Sequence, residues 1–83
     1  MASRTQRRTL RSKENDALIE LLIAVRTQQK MTQRDLAKAM KWPHSLVGRI
    51  ESGERRLDIV EFVAVARALG QDPVELFARF ARA

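Results

Sequence analysis

The sequence predicts an all-α protein built from about five short helices. Apolar residues recur at helical spacing in several segments, and no segment alternates as a strand would. Three hydroxyl- or acid-bearing residues precede apolar runs in the manner of helix N-caps. The 83 residues suffice for one domain, and the 45% that are hydrophobic suffice for one small core.

The first helix is predicted from about Asn15 to Gln28. Its inward face follows the i, i+3, i+4, i+7 spacing and consists of Leu18, Leu21, Leu22 and Val25. Ile19 and Ile23 widen that face, so we expect this helix to lie centrally.

The second helix is predicted to begin after Thr32 and to end near Lys41. Thr32 is a favourable N-cap, and Asp35 stands where the second member of a capping box is found. Met31 and Leu36 have the spacing of a hydrophobic staple across the same helix start.

The third helix is predicted from about Pro43 to Ser52, because proline suits the first helical position. Gly53 is expected to end it in a left-handed conformation. Residues 32–53 are thus a short helix, a tight turn and a second short helix. In a helix-turn-helix of this kind the second helix enters the DNA major groove.

The fourth helix is predicted to begin at Asp58, with Glu61 completing a capping box and Leu57 and Phe62 forming a staple. Gly70 is expected to end it. The predicted core face consists of Phe62, Val63, Ala66 and Leu69.

The fifth helix is predicted to begin at Asp72, with Pro73 at the first helical position. Its apolar residues, Val74, Leu76, Phe77 and Phe80, cover more than one face. We therefore expect part of this surface to be buried in a homodimer joined through the C-terminal helix. The alternative is that all four residues complete the monomer core.

Positive charge is concentrated in two parts of the chain. The formal net charge is +6; residues 1–14 hold five basic and one acidic residues, and residues 30–56 hold seven basic and three acidic residues. This distribution favours a polyanionic partner. We expect residues 1–13 to be a flexible basic arm and residues 14–83 to be the folded domain.

Several other function classes are disfavoured by composition. The chain has no cysteine and one histidine, so neither a thiolate nor a polyhistidine metal site is expected, and no cofactor is predicted. No paired acids or glycine-rich phosphate loop point to an enzyme. No apolar run is long enough for a membrane span, and the absence of cysteine favours the cytoplasm.

The middle of the chain resembles a known family. The motifs that carry the resemblance are Thr32-Gln33-x-x-Leu36-Ala37 and Ser45-x-Val47-x-x-Ile50-Glu51-x-Gly53-x-Arg55. They are similar to the phage Cro/repressor-type (XRE) helix-turn-helix family, over about residues 17–77. The resemblance implies a five-helix, lambda-repressor-like DNA-binding domain that binds double-stranded operator DNA as a homodimer. It implies a transcriptional regulator, which we expect to be a repressor.

The resemblance also implies roles for individual residues. His44 and Ser45 stand at base-reading positions, and Arg49 would reach a guanine or a phosphate. Gly48 would let the helix sit close to the groove. Contacts to the DNA backbone are implied for Gln33, Ser52, Arg55 and Arg56, and Arg34 is a further candidate. Arg26 and Glu51 stand where the family often has a structural ion pair.

Two residues depart from the family pattern, and one alternative function stays open. Lys41 replaces the usual glycine at the end of helix two, so the turn is expected to differ slightly. Pro43 replaces the usual polar cap of helix three. The same fold also serves as the DNA-binding antitoxin of toxin–antitoxin modules, which would require a protein partner as well as DNA.

Overall fold

A computed structural model describes residues 12–83 as five helices. They are α1 (Lys13–Gln28), α2 (Gln33–Met40), α3 (His44–Glu51), α4 (Ile59–Ala68) and α5 (Pro73–Arg82). This part of the chain contains no strand, so the predicted all-α class is confirmed. The predicted flexible arm lies outside the described residues, apart from its last two positions.

Ser12 is the N-cap of α1 and Lys13 is its first residue, so this helix begins two residues earlier than predicted. The Ser12 hydroxyl accepts a hydrogen bond from the Asn15 N–H at 3.0 Å and so caps the helix. Serine is among the best N-cap residues because its oxygen satisfies an N–H that has no partner within the helix.

Both predicted capping boxes are present. At α2, Thr32 accepts from the Asp35 N–H at 3.0 Å, and the Asp35 carboxylate accepts from the Thr32 N–H at 2.9 Å. At α4, Asp58 and Glu61 exchange the same pair of bonds, at 2.7 and 2.9 Å. The bonds with Thr32 lower the pKa of the Asp35 carboxyl, chiefly through the Thr32 backbone N–H.

The start of α3 differs from the prediction by one residue. Pro43 is the N-cap rather than the first helical residue, with φ −55° and ψ 140°. The ring fixes φ but not ψ, so proline is compatible with an extended N-cap. No side chain caps this helix, and its exposed first residue is His44.

Left-handed residues end several helices, and two of them are lysines. Lys41 has φ 58° and ψ 38°, while its N–H and that of Trp42 bond back to carbonyls of α2. The turn after α2 therefore keeps the left-handed form, and the expectation that Lys41 alters it is wrong. Lys30, after α1, has φ 59°. Hydrogen bonding and packing hold these lysines where glycine would be unstrained.

The helices enclose one core. α2 packs on α3 and α4, α1 packs on α3 and α5, and α4 packs on α5. The core cluster consists of Leu22, Val25, Leu36, Ala37, Val47, Phe62, Val65, Ala66, Leu69 and Leu76. Some sequence assignments change: Val65 is buried where Val63 was expected, and Leu18 and Leu21 are only partly buried. Trp42, in the turn between α2 and α3, packs against this core.

An apolar surface remains where α4 and α5 meet. Of the four apolar residues of α5, only Leu76 is buried, while Val74 is 76% exposed and Phe77 is 46% exposed. Ile59 and Val60 of α4 are also exposed. No described helix has the length and apolarity needed to cross a membrane.

Replacing Lys41 with glycine should stabilise the domain. A non-glycine residue in the left-handed region costs about 1 kcal/mol or more, partly offset because glycine adds entropy to the unfolded chain. We expect Lys41→Gly to raise the free energy of unfolding by about 0.5 kcal/mol in urea denaturation. Lys38→Gly, inside α2, is the control and should lower it by about 1 kcal/mol. Equal losses in both variants would contradict the account of this turn.

Candidate nucleic-acid interface

The outer face of α3 is a continuous polar stripe. Residues separated by four positions share a helix face, and the stripe consists of His44, Ser45, Gly48, Arg49 and Ser52. Gly48 is half-buried and the other four are exposed, whereas Val47 and Ile50 point into the protein. No acidic side chain belongs to the stripe. Such a surface is suited to a phosphate-bearing, groove-shaped partner.

The first residue of α2 lies against this stripe. The Gln33 side-chain nitrogen Nε2 donates to Glu51 Oε1 at 2.8 Å. Its carbonyl oxygen is 3.4 Å from the point where a Cβ on Gly48 would be. The Gln33 amide therefore bridges the start of α2 and the second half of α3. Arg34 follows it on α2 and is exposed.

Arg26 and Glu51 form the ion pair that holds α3 to α1. Arg26 Nε donates to Glu51 Oε2 at 2.7 Å and Nη2 donates to Oε1 at 3.0 Å. The side chains are only 11% and 9% exposed. Arg26 Nη1 also donates to the Met31 carbonyl at 2.7 Å, immediately before the α2 cap. One guanidinium therefore joins α1, the loop before α2 and the last residue of α3.

Arg55, a sequence-based candidate for DNA contact, has a partner within the domain. Its Nη1 and Nη2 donate to the two oxygens of Glu61 at 2.9 and 2.8 Å, and Nη1 also donates to the Arg56 carbonyl. Sequence spacing did not reveal this pair, because the local pattern assigns Glu61 to the α4 capping box alone. The Arg55 side chain is still 35% exposed.

Glu61 consequently serves two contacts, and its pKa is lowered. The bonds from Arg55 are the main cause, followed by the Asp58 backbone N–H, and the pKa falls from 4.5 to about 2. The capping box and the ion pair therefore tie the segment after α3 to the start of α4.

The remaining candidates lie along the exit from α3. The Ser52 hydroxyl is 3.1 Å from the Arg49 carbonyl oxygen and 2.9 Å from Glu54 Oε2. Arg56 Nη2 donates to Ser12 Oγ at 3.1 Å. This contact places the point where the chain enters α1 beside the segment that leaves α3.

Comparisons with known proteins agree with this geometry. A family model described as helix-turn-helix matches residues 22–76. An XRE-family like protein from Pseudomonas syringae pv. tomato has a similar structure, with a TM-score of 0.82 and 34% identity. The match covers 93% of this chain and 94% of that chain. No curated protein sequence matches the chain.

A second solved structure shares the fold at lower identity. A point mutant of the restriction-modification controller protein C.Esp1396I is 22% identical, with a TM-score of 0.77. The match covers 86% of this chain and 90% of that chain.

These features define a DNA-binding class of protein, that of helix-turn-helix transcription regulators. The chain belongs to the XRE family of that class, the Cro/repressor type. Family membership points to a non-enzymatic role. Within residues 12–83, no three metal-ligating side chains are grouped as a metal ion would require.

Removing Arg26 should destabilise the domain severely. Arg26→Ala leaves Glu51 nearly buried without its cation, which costs about 3 kcal/mol or more. Lys38→Ala removes an exposed cation and should change the free energy of unfolding by less than about 0.5 kcal/mol. Urea denaturation followed by circular dichroism compares the two variants. Similar free energies of unfolding for the two variants would show that the ion pair does not hold α3 in place.

Glu61 should make the free energy of unfolding depend on pH. Because its pKa is lower in the folded state, its contribution is complete above about pH 5 and is lost as pH falls towards 2. We expect Glu61→Gln to abolish this part of the pH dependence of unfolding, and Arg55→Met to reduce it. The measurement is the urea midpoint at intervals from pH 7 to 2. A Glu61→Gln profile parallel to wild type would contradict the pairing.

Proposed function

We propose that the protein is a transcriptional repressor that binds an inverted-repeat operator as a homodimer, with α3 in the major groove. Repression is the simpler mode, because occupying an operator suffices to exclude polymerase, whereas activation requires a further contact. The role would place the protein in the cytoplasm with the DNA.

Gly48 is the observation that carries the proposal. Glycine inside a helix costs about 1 kcal/mol relative to alanine. Nothing in the described domain requires it: its φ is not positive, and an added Cβ would meet only the Gln33 oxygen, at an ordinary 3.4 Å. The missing side chain is therefore useful outside the domain. It lets a partner approach the α3 backbone between Ser45 and Arg49.

DNA fits this surface by chemistry and by shape. In the proposed complex His44 and Ser45, in the first turn of α3, read base edges in the groove. Arg49, one turn further on, reaches a guanine or a phosphate. Gln33 and Arg34 at the start of α2 contact the DNA backbone, where the helix N-terminus also favours phosphate.

The segment after α3 would extend the backbone contacts. Ser52 and Arg56 are exposed, and Arg55 is partly exposed. Because Glu61 offsets the charge of Arg55, we expect Arg55 to add less to DNA affinity than Arg56 does. The Arg56–Ser12 contact places the N-cap of α1 on the same side of the domain. The arginines that precede it, Arg4, Arg7, Arg8 and Arg11, would add charge without base specificity.

The apolar surface of α4 and α5 supports a homodimer. A groove there is lined by Ile59, Phe62, Val63, Arg67, Pro73, Val74 and Phe77. Apolar area of this kind on a small domain marks an interaction site. A two-fold axis at α5 would bury both copies of the groove and present two α3 helices about 34 Å apart, one turn of DNA. One helix alone reads too few base pairs for useful discrimination.

Gly48→Ala should separate folding from DNA binding. We expect the free energy of unfolding to rise by about 0.5–1 kcal/mol, because alanine favours the helix. Operator affinity should fall, and it should fall further in Gly48→Leu, because the added side chain blocks close approach. Fluorescence anisotropy with a duplex selected from random DNA measures the affinity. The control is Ala64→Leu, which adds a side chain at an exposed position of α4. Unchanged binding by both Gly48 variants would contradict the placement of α3.

Val74→Glu should convert the dimer to a monomer. Val74 is highly exposed, so a charge there spares the core, and glutamate is acceptable near a helix N-terminus. We expect sedimentation equilibrium at micromolar concentration to give a dimer for wild type and a monomer for the variant. Ala81→Glu, near the end of α5, is the control. A wild-type monomer that binds a half-site as well as the full repeat would refute the dimer and favour an antitoxin whose groove binds another protein.

A further inference from the structure

The Glu51 carboxylate accepts more hydrogen bonds than an ion pair with Arg26 requires. Besides the two bonds from Arg26, its Oε1 accepts the bond from Gln33 Nε2 at 2.8 Å. The Glu51 side chain is 9% exposed, whereas Gln33 is exposed. The network therefore runs from the interior of the domain to the proposed DNA surface and ends at the Gln33 amide.

The orientation of the Gln33 amide decides whether it can bind a phosphate. A glutamine side chain has two N–H donors on one atom and one carbonyl acceptor on the other. A phosphate only accepts hydrogen bonds, so an amide whose oxygen faces the phosphate cannot bind it. A carboxylate also only accepts, so Glu51 selects the orientation that turns the Gln33 nitrogen towards it. That nitrogen retains a second N–H.

The other half of the same amide lies beside Gly48. The Gln33 carbonyl oxygen lies beside the bare Cα of Gly48, at 3.4 Å from where a Cβ would be. The nitrogen is thus held by Glu51 while the oxygen rests against α3. An amide held in this way loses less rotamer freedom when it meets a phosphate than a free side chain does.

We propose that Glu51 is a positioning residue for DNA binding, which holds the Gln33 amide so that its second N–H donates to a backbone phosphate. The inference rests on the proposed function and adds a role to a residue whose other role is structural. The ion pair with Arg26 fixes the carboxylate, and the carboxylate in turn fixes Gln33.

The sign of one substitution separates this role from simple electrostatics. Glu51→Gln removes a negative charge near a polyanion, and Coulomb repulsion alone then predicts tighter DNA binding. Positioning predicts the opposite, because an uncharged amide at this site no longer selects one orientation of Gln33. We expect affinity for the selected duplex to fall about fivefold, as expected for one hydrogen bond.

The test is a double-mutant cycle in fluorescence anisotropy, with the duplex that wild type selects from random DNA. Glu51→Gln should weaken binding in the wild-type background and should fail to weaken it when combined with Gln33→Ala. Arg26→Lys is the control, since it perturbs the ion pair while leaving the carboxylate for Gln33, and it should bind more tightly than Glu51→Gln. All affinities are measured where denaturation curves show each variant to be folded.

Two results would overturn the proposal. One is unchanged or tighter binding by folded Glu51→Gln, and the other is an equal loss in the Gln33→Ala background. If Glu51→Gln does not fold, NMR of the wild-type Gln33 side-chain amide decides: slow hydrogen exchange and a shift on adding the duplex are expected, and fast exchange without a shift refutes the role. Failure of wild type to bind any duplex is a different result, because it removes the proposed function itself.

Discussion

The bonds from Arg26 to Glu51 are the constraint on which the position of α3 depends. An eight-residue helix is not stable by itself, and α3 contributes only Val47 and Ile50 as buried side chains. Its N-terminus has no side-chain cap. The C-terminal residue is instead fixed by Arg26 of α1, at 2.7 Å, and the same guanidinium holds the loop before α2. One side chain of α1 therefore helps to fix the positions of both α2 and α3, the two helices of the helix-turn-helix.

The protein has two unlike surfaces. The α3 stripe is polar and cationic, whereas the groove at α4 and α5 is apolar with Val74 and Phe77 exposed. Arg55 connects the two regions, because its pairing with Glu61 ties the exit of α3 to the first turn of α4. Each surface fits the chemistry of one proposed partner, DNA for the stripe and a second copy for the groove. Neither partner would obstruct the other.

Local sequence signals predicted most of the fold. Thr32 with Asp35 and Asp58 with Glu61 form the expected capping boxes, since these bonds depend on residues three positions apart. Errors arose where tertiary context decides the outcome. Lys41 is left-handed because its turn is held by hydrogen bonds and packing, although its own preference is against it. The exchange of Val65 for Val63 is a different case, because Phe62, Val65, Ala66 and Leu69 follow the i, i+3, i+4, i+7 spacing, which already favours Val65.

The candidate site was less predictable than the fold. The α3 stripe followed from helical periodicity, and Arg26 and Glu51 from the family resemblance. The bonds of Gln33 to Glu51 and of Arg55 to Glu61 join residues on different parts of the fold. Glu61 also has a local role, because it belongs to the capping box of α4. Sequence spacing cannot reveal such shared partners. They change the interpretation of Arg55 from a free cation to a member of an ion pair.

The central claim is that the α3 stripe meets DNA while the α4–α5 groove does not. Backbone amide NMR during titration with the selected duplex tests it directly. The account predicts that the largest shifts fall on residues 44–49 and on Gln33, with Arg67 and Val74 in the groove nearly unchanged. Shifts concentrated in the groove, with the α3 amides unmoved, would contradict it.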